Sequence, residues 1–152
     1  MPKFTALVHV EEASKALEET LKSAALADDL LVVLDAKDKP LTRMVRKAHG
    51  RIKTTIPGVT PGAYAMDSYF TWVLVLRPGE VLDEKTVEAL KNWKKLEQDD
   101  EAGYRVRILR NGTAIEKMRL VNRLKINWIG ELPPEAQAIP LIGTGSDEEQ
   151  AA

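Results

Sequence analysis

The sequence predicts an α/β fold: a mostly parallel sheet flanked by helices, with an antiparallel hairpin near the C-terminal end. Two observations carry this. Apolar runs of strand length, "FTALVHV", "LLVVLD" and "WVLVL", alternate with stretches whose apolar residues recur every three or four positions. From Tyr104 the pattern changes to alternating apolar and charged residues around Asn111-Gly112, a strong hairpin signal. At 152 residues and 44% apolar content the chain suits one core. Residues 1–142 are read as a single domain and 143–152, "GTGSDEEQAA", as a disordered acidic tail.

The elements follow in order. Phe4 to Val10 is a buried strand, and Glu11-Glu12 opens a helix whose Ala13, Ala16, Leu17, Leu21 and Ala24 share a face. The acidic start suits a helix N-terminus. Leu30 to Asp35 is a second strand, ending in a carboxylate. A helix follows with Leu41, Met44, Val45 and Ala48 on one face, Pro40 at its start and Gly50 at its exit. Asp38 is placed to cap it. Arg51 to Thr55 is a short third strand, and a Pro/Gly loop then feeds a short helix from about Pro61. Trp72 to Leu76 is the fourth strand. Asp83 or Glu84 begins another helix, with Val87, Leu90, Trp93 and Leu96 inward, and Asp99-Asp100-Glu101 lies in a solvated loop. After the hairpin, "INWIG" reads as one more short strand.

Composition narrows the function. Twenty-two basic against 23 acidic residues leave a net charge of -1, so no global electrostatic case exists for nucleic acid or an anionic membrane. With no cysteine there is no disulfide, thiolate metal site or cysteine nucleophile. The two histidines, His9 and His49, have no metal-ligand spacing. No apolar run approaches the roughly 20 residues that span a bilayer, and no signal peptide is evident. The expected location is cytoplasmic.

The fourth strand stops abruptly at Arg77-Pro78-Gly79-Glu80. Ligands of open α/β sheets collect just past the carboxyl ends of strands, so this strand end is where chemistry is sought. A divalent-cation site there would need closely spaced carboxylates.

Taken together, "ALVHVEEASKALEETLKS", "LLVVLDAKDKPLTRMVRKAHG", "PGVTPGAYAMDSYFTWVLVLRPGEVLDEKTVEAL" and "MRLVNRLKINWIGELPP" resemble the family 2 glycosyltransferases. Their nucleotide-sugar-binding architecture, GT-A, is Rossmann-like. The resemblance covers roughly residues 4 to 134 and rests on order and spacing. It implies a crevice for a nucleotide or nucleotide-sugar. In that family an Asp-x-Asp motif at this strand end holds Mg²⁺ or Mn²⁺ against the diphosphate. In register those two positions are Arg77 and Gly79, and only the following acidic position survives, as Glu80. The family's opening Asn-Glu has become Glu11-Glu12, its Gly-Ser after the second strand Lys37-Asp38, and the position of its catalytic base falls at Pro133-Pro134. The chain also lacks most of the family's acceptor-binding region.

The resemblance therefore implies nucleotide-binding positions at His9, Asp35, Gly58, Arg77 and Glu80, with no metal, no cofactor and no identified catalytic residue. All but Glu80 have a plainer reading beside them. Arg77 either neutralises a diphosphate as a fixed cation or is an exposed residue of a Pro-Gly turn. Asp35 either accepts from uracil or ribose or caps the next turn. His9 is within reach of the crevice or purely structural, and "GVTPG" from Gly58 offers N–H groups to phosphate or simply turns the chain. Arg119, Arg123 and Lys125 form either a basic rim or surface charge on an antiparallel edge. Trp128 is core packing or a stacking platform.

The function implied is that of a family 2-like domain, a degenerate nucleotide-sugar-binding protein with weak or no transferase activity. The alternative is a non-catalytic interaction or scaffold module that has lost nucleotide binding. An exposed edge near the hairpin and the missing acceptor region are compatible with a homodimer.

Overall fold

Alternation along the apolar runs sends side chains to both faces of a sheet, and both faces are covered. The computed structural model describes residues 1–11, 14–35, 39–56, 59–126, 128, 132–133 and 139–141. The strands are β1 (Phe4–Val10), β2 (Asp29–Leu34), β3 (Arg51–Thr54), β4 (Trp72–Leu76), β5 (Glu80–Leu82), β6 (Gly103–Arg110), β7 (Thr113–Asn122) and β8 (Ile139–Pro140). The helices are α1 (Lys15–Ser23), α2 (Lys39–Lys47) and α3 (Glu84–Trp93). All the described strands belong to one sheet in the order β3-β2-β1-β4-β7-β6-β5, with β8 beside β6. The first four of that order are parallel; β4–β7, β7–β6 and β6–β5 are antiparallel. This is the Rossmann-like α/β class the sequence predicts.

One face carries Phe4, Ala6, Val8 and Val10 of β1 with Leu30, Val32 and Leu34 of β2, packed under Leu17 and Leu21 of α1, Leu41 and Val45 of α2, and Leu90 and Trp93 of α3. On the other face Leu7, Leu31, Val33, Val73 and Val75 meet Tyr64 and Ala65 of the 3-10 segment Pro61–Asp67. Ile126, Trp128 and Leu132 pack on that second face. Trp128 is thus a packing residue, and the described part of "INWIG", Ile126 and Trp128, is not strand.

Several boundaries move for local reasons. Helix α1 starts at Lys15, because Ser14 adopts an extended conformation and its hydroxyl accepts from Leu17 N–H at 3.0 Å. Glu11 lies outside the helix, and Glu12 outside the described residues. At the exit of α2 the left-handed position is taken by His49 (φ 61°) rather than by Gly50. Gly50 serves close packing instead: a Cβ there would stand 2.8 Å from Val45 Cγ1. Leu96 lies beyond α3 and is exposed. Asp99 is no purely solvated loop residue, since its carboxylate accepts from Trp93 Nε1 at 2.7 Å and from the Tyr104 hydroxyl. The hairpin turns at Asn111 (φ 51°) and Gly112 (φ 78°), both left-handed as a type I′ turn requires. The proposed cap Asp38 and the tail 143–152 lie outside the described residues.

Candidate functional site

In the order β3-β2-β1-β4 the direction of strand progression reverses between β1 and β4, and in open α/β sheets ligand crevices lie at the carboxyl ends of strands at such a reversal. Three of the residues singled out from sequence lie at this end. His9 is the penultimate residue of β1, Asp35 follows β2, and Arg77 follows β4. Thr5, Leu7 and His9 alternate onto the second face of β1, and Asp35 continues the Leu31–Val33 alternation of β2. The His9 ring nitrogen Nε2 lies 2.8 Å from Asp35 Oδ1. The Asp35 side chain is 43% exposed and that of His9 only 17%. The pair is anchored by the backbone, because Asp35 N–H donates to Val10 O at 3.2 Å. The two residues that sequence treated separately thus form one unit, with an imidazole bracing an accessible carboxylate.

Arg77 follows the last β1–β4 pair, Val8 with Leu76, and is exposed. It begins a tight turn: Glu80 N–H donates to Arg77 O at 3.0 Å, and Gly79 has φ +93°. Proline at the second position and a left-handed glycine at the third are the chemistry of a type II turn. The turn is docked on α1, where the buried Thr20 hydroxyl accepts from Gly79 N–H at 2.9 Å. Ser23 Oγ accepts from Leu82 N–H at 2.7 Å, which extends the same seam along β5. Gly58 lies outside the described residues.

Glu80 is 0% exposed. Its carboxylate takes Arg119 in a two-point contact, Nη1 to Oε1 at 2.6 Å and Nη2 to Oε2 at 3.0 Å, together with Arg77 N–H at 2.8 Å and Arg110 Nη2. Burial alone would push this carboxyl up. The hydrogen bonds from Arg119 and Arg110 outweigh it and hold the group below the usual carboxylate range.

Arg119 corrects both sequence readings of that residue, for it is neither a basic rim nor edge charge: it is 2% exposed on a strand paired on both sides. The reason is a β-bulge. Tyr104 pairs with Leu120 and Arg105 with Met118, so Arg119 is skipped in the register. A bulge re-aims its side chain, and this one sends the guanidinium to Glu80 and to Val75 O at 3.2 Å. Arg123 donates to Phe70 O at 3.2 Å and Lys125 to Asp100 O, so neither lines this crevice through those bonds.

A second buried carboxylate, Asp29, lies at the opposite, amino end of the parallel strands. It accepts Arg51 Nε and Nη2 at 2.8 and 2.7 Å, the Thr5 hydroxyl at 2.7 Å and Tyr69 N–H at 3.2 Å. Burial raises its pKa, but these donors, Arg51 first, hold it below the usual value. This clamp, which the sequence reading missed, is structural.

Among the described residues the acidic side chain at the end of β4, Glu80, does not suit a divalent cation, because it is already committed to two guanidinium groups. No cluster of three or more His, Asp or Glu that could hold a metal occurs among the described residues. No helix among them is long and apolar enough to cross a membrane.

No protein-family model matches the chain, and no curated protein matches it in sequence. Among solved structures it is similar to glucosyl-3-phosphoglycerate synthase from Mycobacterium tuberculosis, determined in complex with Mn²⁺, uridine diphosphate and glucosyl-3-phosphoglycerate. The identity is 10%, over 53% of this chain and 34% of that one, with a TM-score of 0.43. A mycobacterial protein is similar at 11% identity over 67% of this chain and 39% of its own, with a TM-score of 0.47. The chain therefore spans little more than a third of the length of these structures.

Proposed function

We propose that the chain is a family 2 glycosyltransferase-like domain that retains a crevice for a nucleotide or nucleotide-sugar and has weak or no transferase activity. The observation that carries this reading is the His9–Asp35 contact at the strand-order reversal. One carboxylate oxygen is braced by the imidazole, and Asp35 is exposed enough to accept from ribose hydroxyls or a base N–H. Arg77, which leaves the sheet beside β1 and is in sequence register with the family's metal carboxylate, supplies a protein-borne cation for a diphosphate. A guanidinium binds the anion without the charge and coordination of a bridging ion. The crevice thus keeps ligand recognition and loses the stabilisation of a departing diphosphate, a type of loss worth about 10²–10³ in rate.

The scaffold reading is favoured by a different observation: Glu80, the acidic position left at this strand end, is part of a buried ion-pair network. Calorimetric titration with uridine diphosphate, with and without Mn²⁺, separates the two. The nucleotide-binding reading expects binding that does not require Mn²⁺ and weakens by at least about tenfold in Arg77→Ala, since charge-assisted contacts contribute about 1.5–3 kcal/mol. Absence of binding under both conditions supports the scaffold module. Binding that requires Mn²⁺ contradicts the role assigned to Arg77.

A further inference from the structure

We propose that the groove between α1 and α2 is a docking site for an acidic amphipathic helix of a partner protein. The groove has a volume of about 480 Å³ and lies on the outside of the helical layer, away from the strand-end crevice. Its floor is apolar: Leu21 and Ala25 from the α1 side, Met44 and Ala48 from the α2 side. Met44 and Ala48 are only half-buried against the core, so among the described residues nothing fully covers this part of the α2 apolar face.

The rim is basic on one side. Arg43 and Lys47 are exposed, line the groove, and make no ion pair among the described residues. Four residues apart, they share one face of α2, where like charges repel. On the α1 side the charges cancel, because Lys22 Nζ lies 3.3 Å from Glu18 Oε1. The bias extends beyond the groove: from residue 39 to 66 the sequence holds Lys39, Arg43, Arg46, Lys47, Arg51 and Lys53 and no acidic residue. Arg51 and Lys53 are answered by Asp29 and Asp67, so among the described residues the basic excess is that of α2.

An apolar channel with a basic wall between two helices fits the helix-in-groove mode of recognition. There, side chains at i, i+3, i+4 and i+7 enter the groove and carboxylates meet the rim. Small residues at Ala25 and Ala48 permit close approach of a third helix. A concave channel favours such inserted side chains over a flat lipid surface. No described helix of a second copy is acidic overall: α1 carries Glu18 and Glu19 against Lys15 and Lys22, and α3 carries Glu84 and Glu88 against Lys85 and Lys91.

The test uses the full chain and a fluorescein-labelled helical peptide with leucine at i, i+3, i+4 and i+7 and glutamate on its other face, read by fluorescence anisotropy. Saturable binding is expected, with loss when the leucine pattern is scrambled. The double reversal Arg43→Glu/Lys47→Glu, at two exposed positions, should weaken it at least about tenfold, or about 1.4 kcal/mol. The same variant should gain affinity for a lysine-for-glutamate peptide. Met44→Glu should abolish binding of the glutamate peptide. Several results overturn the proposal: no peptide binding, affinity indifferent to the charge reversal, binding of phosphatidylserine vesicles in place of the peptide, or self-association that occludes the groove.

Discussion

Glu80 and Asp29 are carboxylates held ionised inside the protein, and each has an acid-sensitive consequence. Their folded pKa values are depressed by arginine partners despite burial, so they contribute stability that is present above the unfolded values, about 4.3 for Glu and 3.9 for Asp. As pH falls through that range the unfolded chain takes up protons before the folded one, and stability drops until the folded carboxyls titrate. Urea midpoints measured from neutral pH down to about pH 3 should fall steeply below about pH 4.3. Glu80→Gln should flatten part of that fall and, by leaving Arg119 buried without its counter-ion, cost about 3–5 kcal/mol at neutral pH. An unchanged midpoint in the variant would show the network to be energetically idle. The resemblance marked Glu80 as a nucleotide-binding position because it is the surviving acidic residue after the altered Asp-x-Asp register. It could not show that Arg119, 39 residues away, turns inward to meet it.

At the scale of elements, the turn between β4 and β5 is fixed by α1 as much as by its own residues. Gly79 N–H and Leu82 N–H donate to Thr20 and Ser23 of the helix, so one helix face replaces a neighbouring strand. Thr20→Val keeps the shape and removes the hydroxyl that Gly79 N–H meets. It should cost about 1–3 kcal/mol for the orphaned donor, and amide hydrogen exchange at Gly79 should rise while that of the β1 core is less affected. Exchange unchanged at Gly79 would mean the turn stands without the helix. The long apolar strands, the three helices and the Asn111-Gly112 hairpin were legible because their signals are local. Strands β5 and β8, three and two residues long, carry no periodicity of their own and exist only by pairing with β6. The bulge at Arg119 is likewise set by the β6–β7 register and not by its neighbours in sequence.

For the whole molecule, the parallel half supplies a reversal of strand order and the antiparallel half supplies the internal salt bridge that closes the end of β4. The candidate site was legible in part: alternation and strand length placed His9 and Asp35 at carboxyl ends, but not in contact. Their contact depends on the β1–β2 register, in which His9 pairs with Val33 and leaves Asp35 one alternation further along the same face. The central claim is that this braced carboxylate receives a nucleotide. It is tested most directly by the affinity of uridine diphosphate, without added metal, for the unaltered chain and for Asp35→Ala side by side. The account predicts measurable binding to the first and a loss of at least about tenfold in the second. Equal affinity for both, or no binding to either, would contradict it.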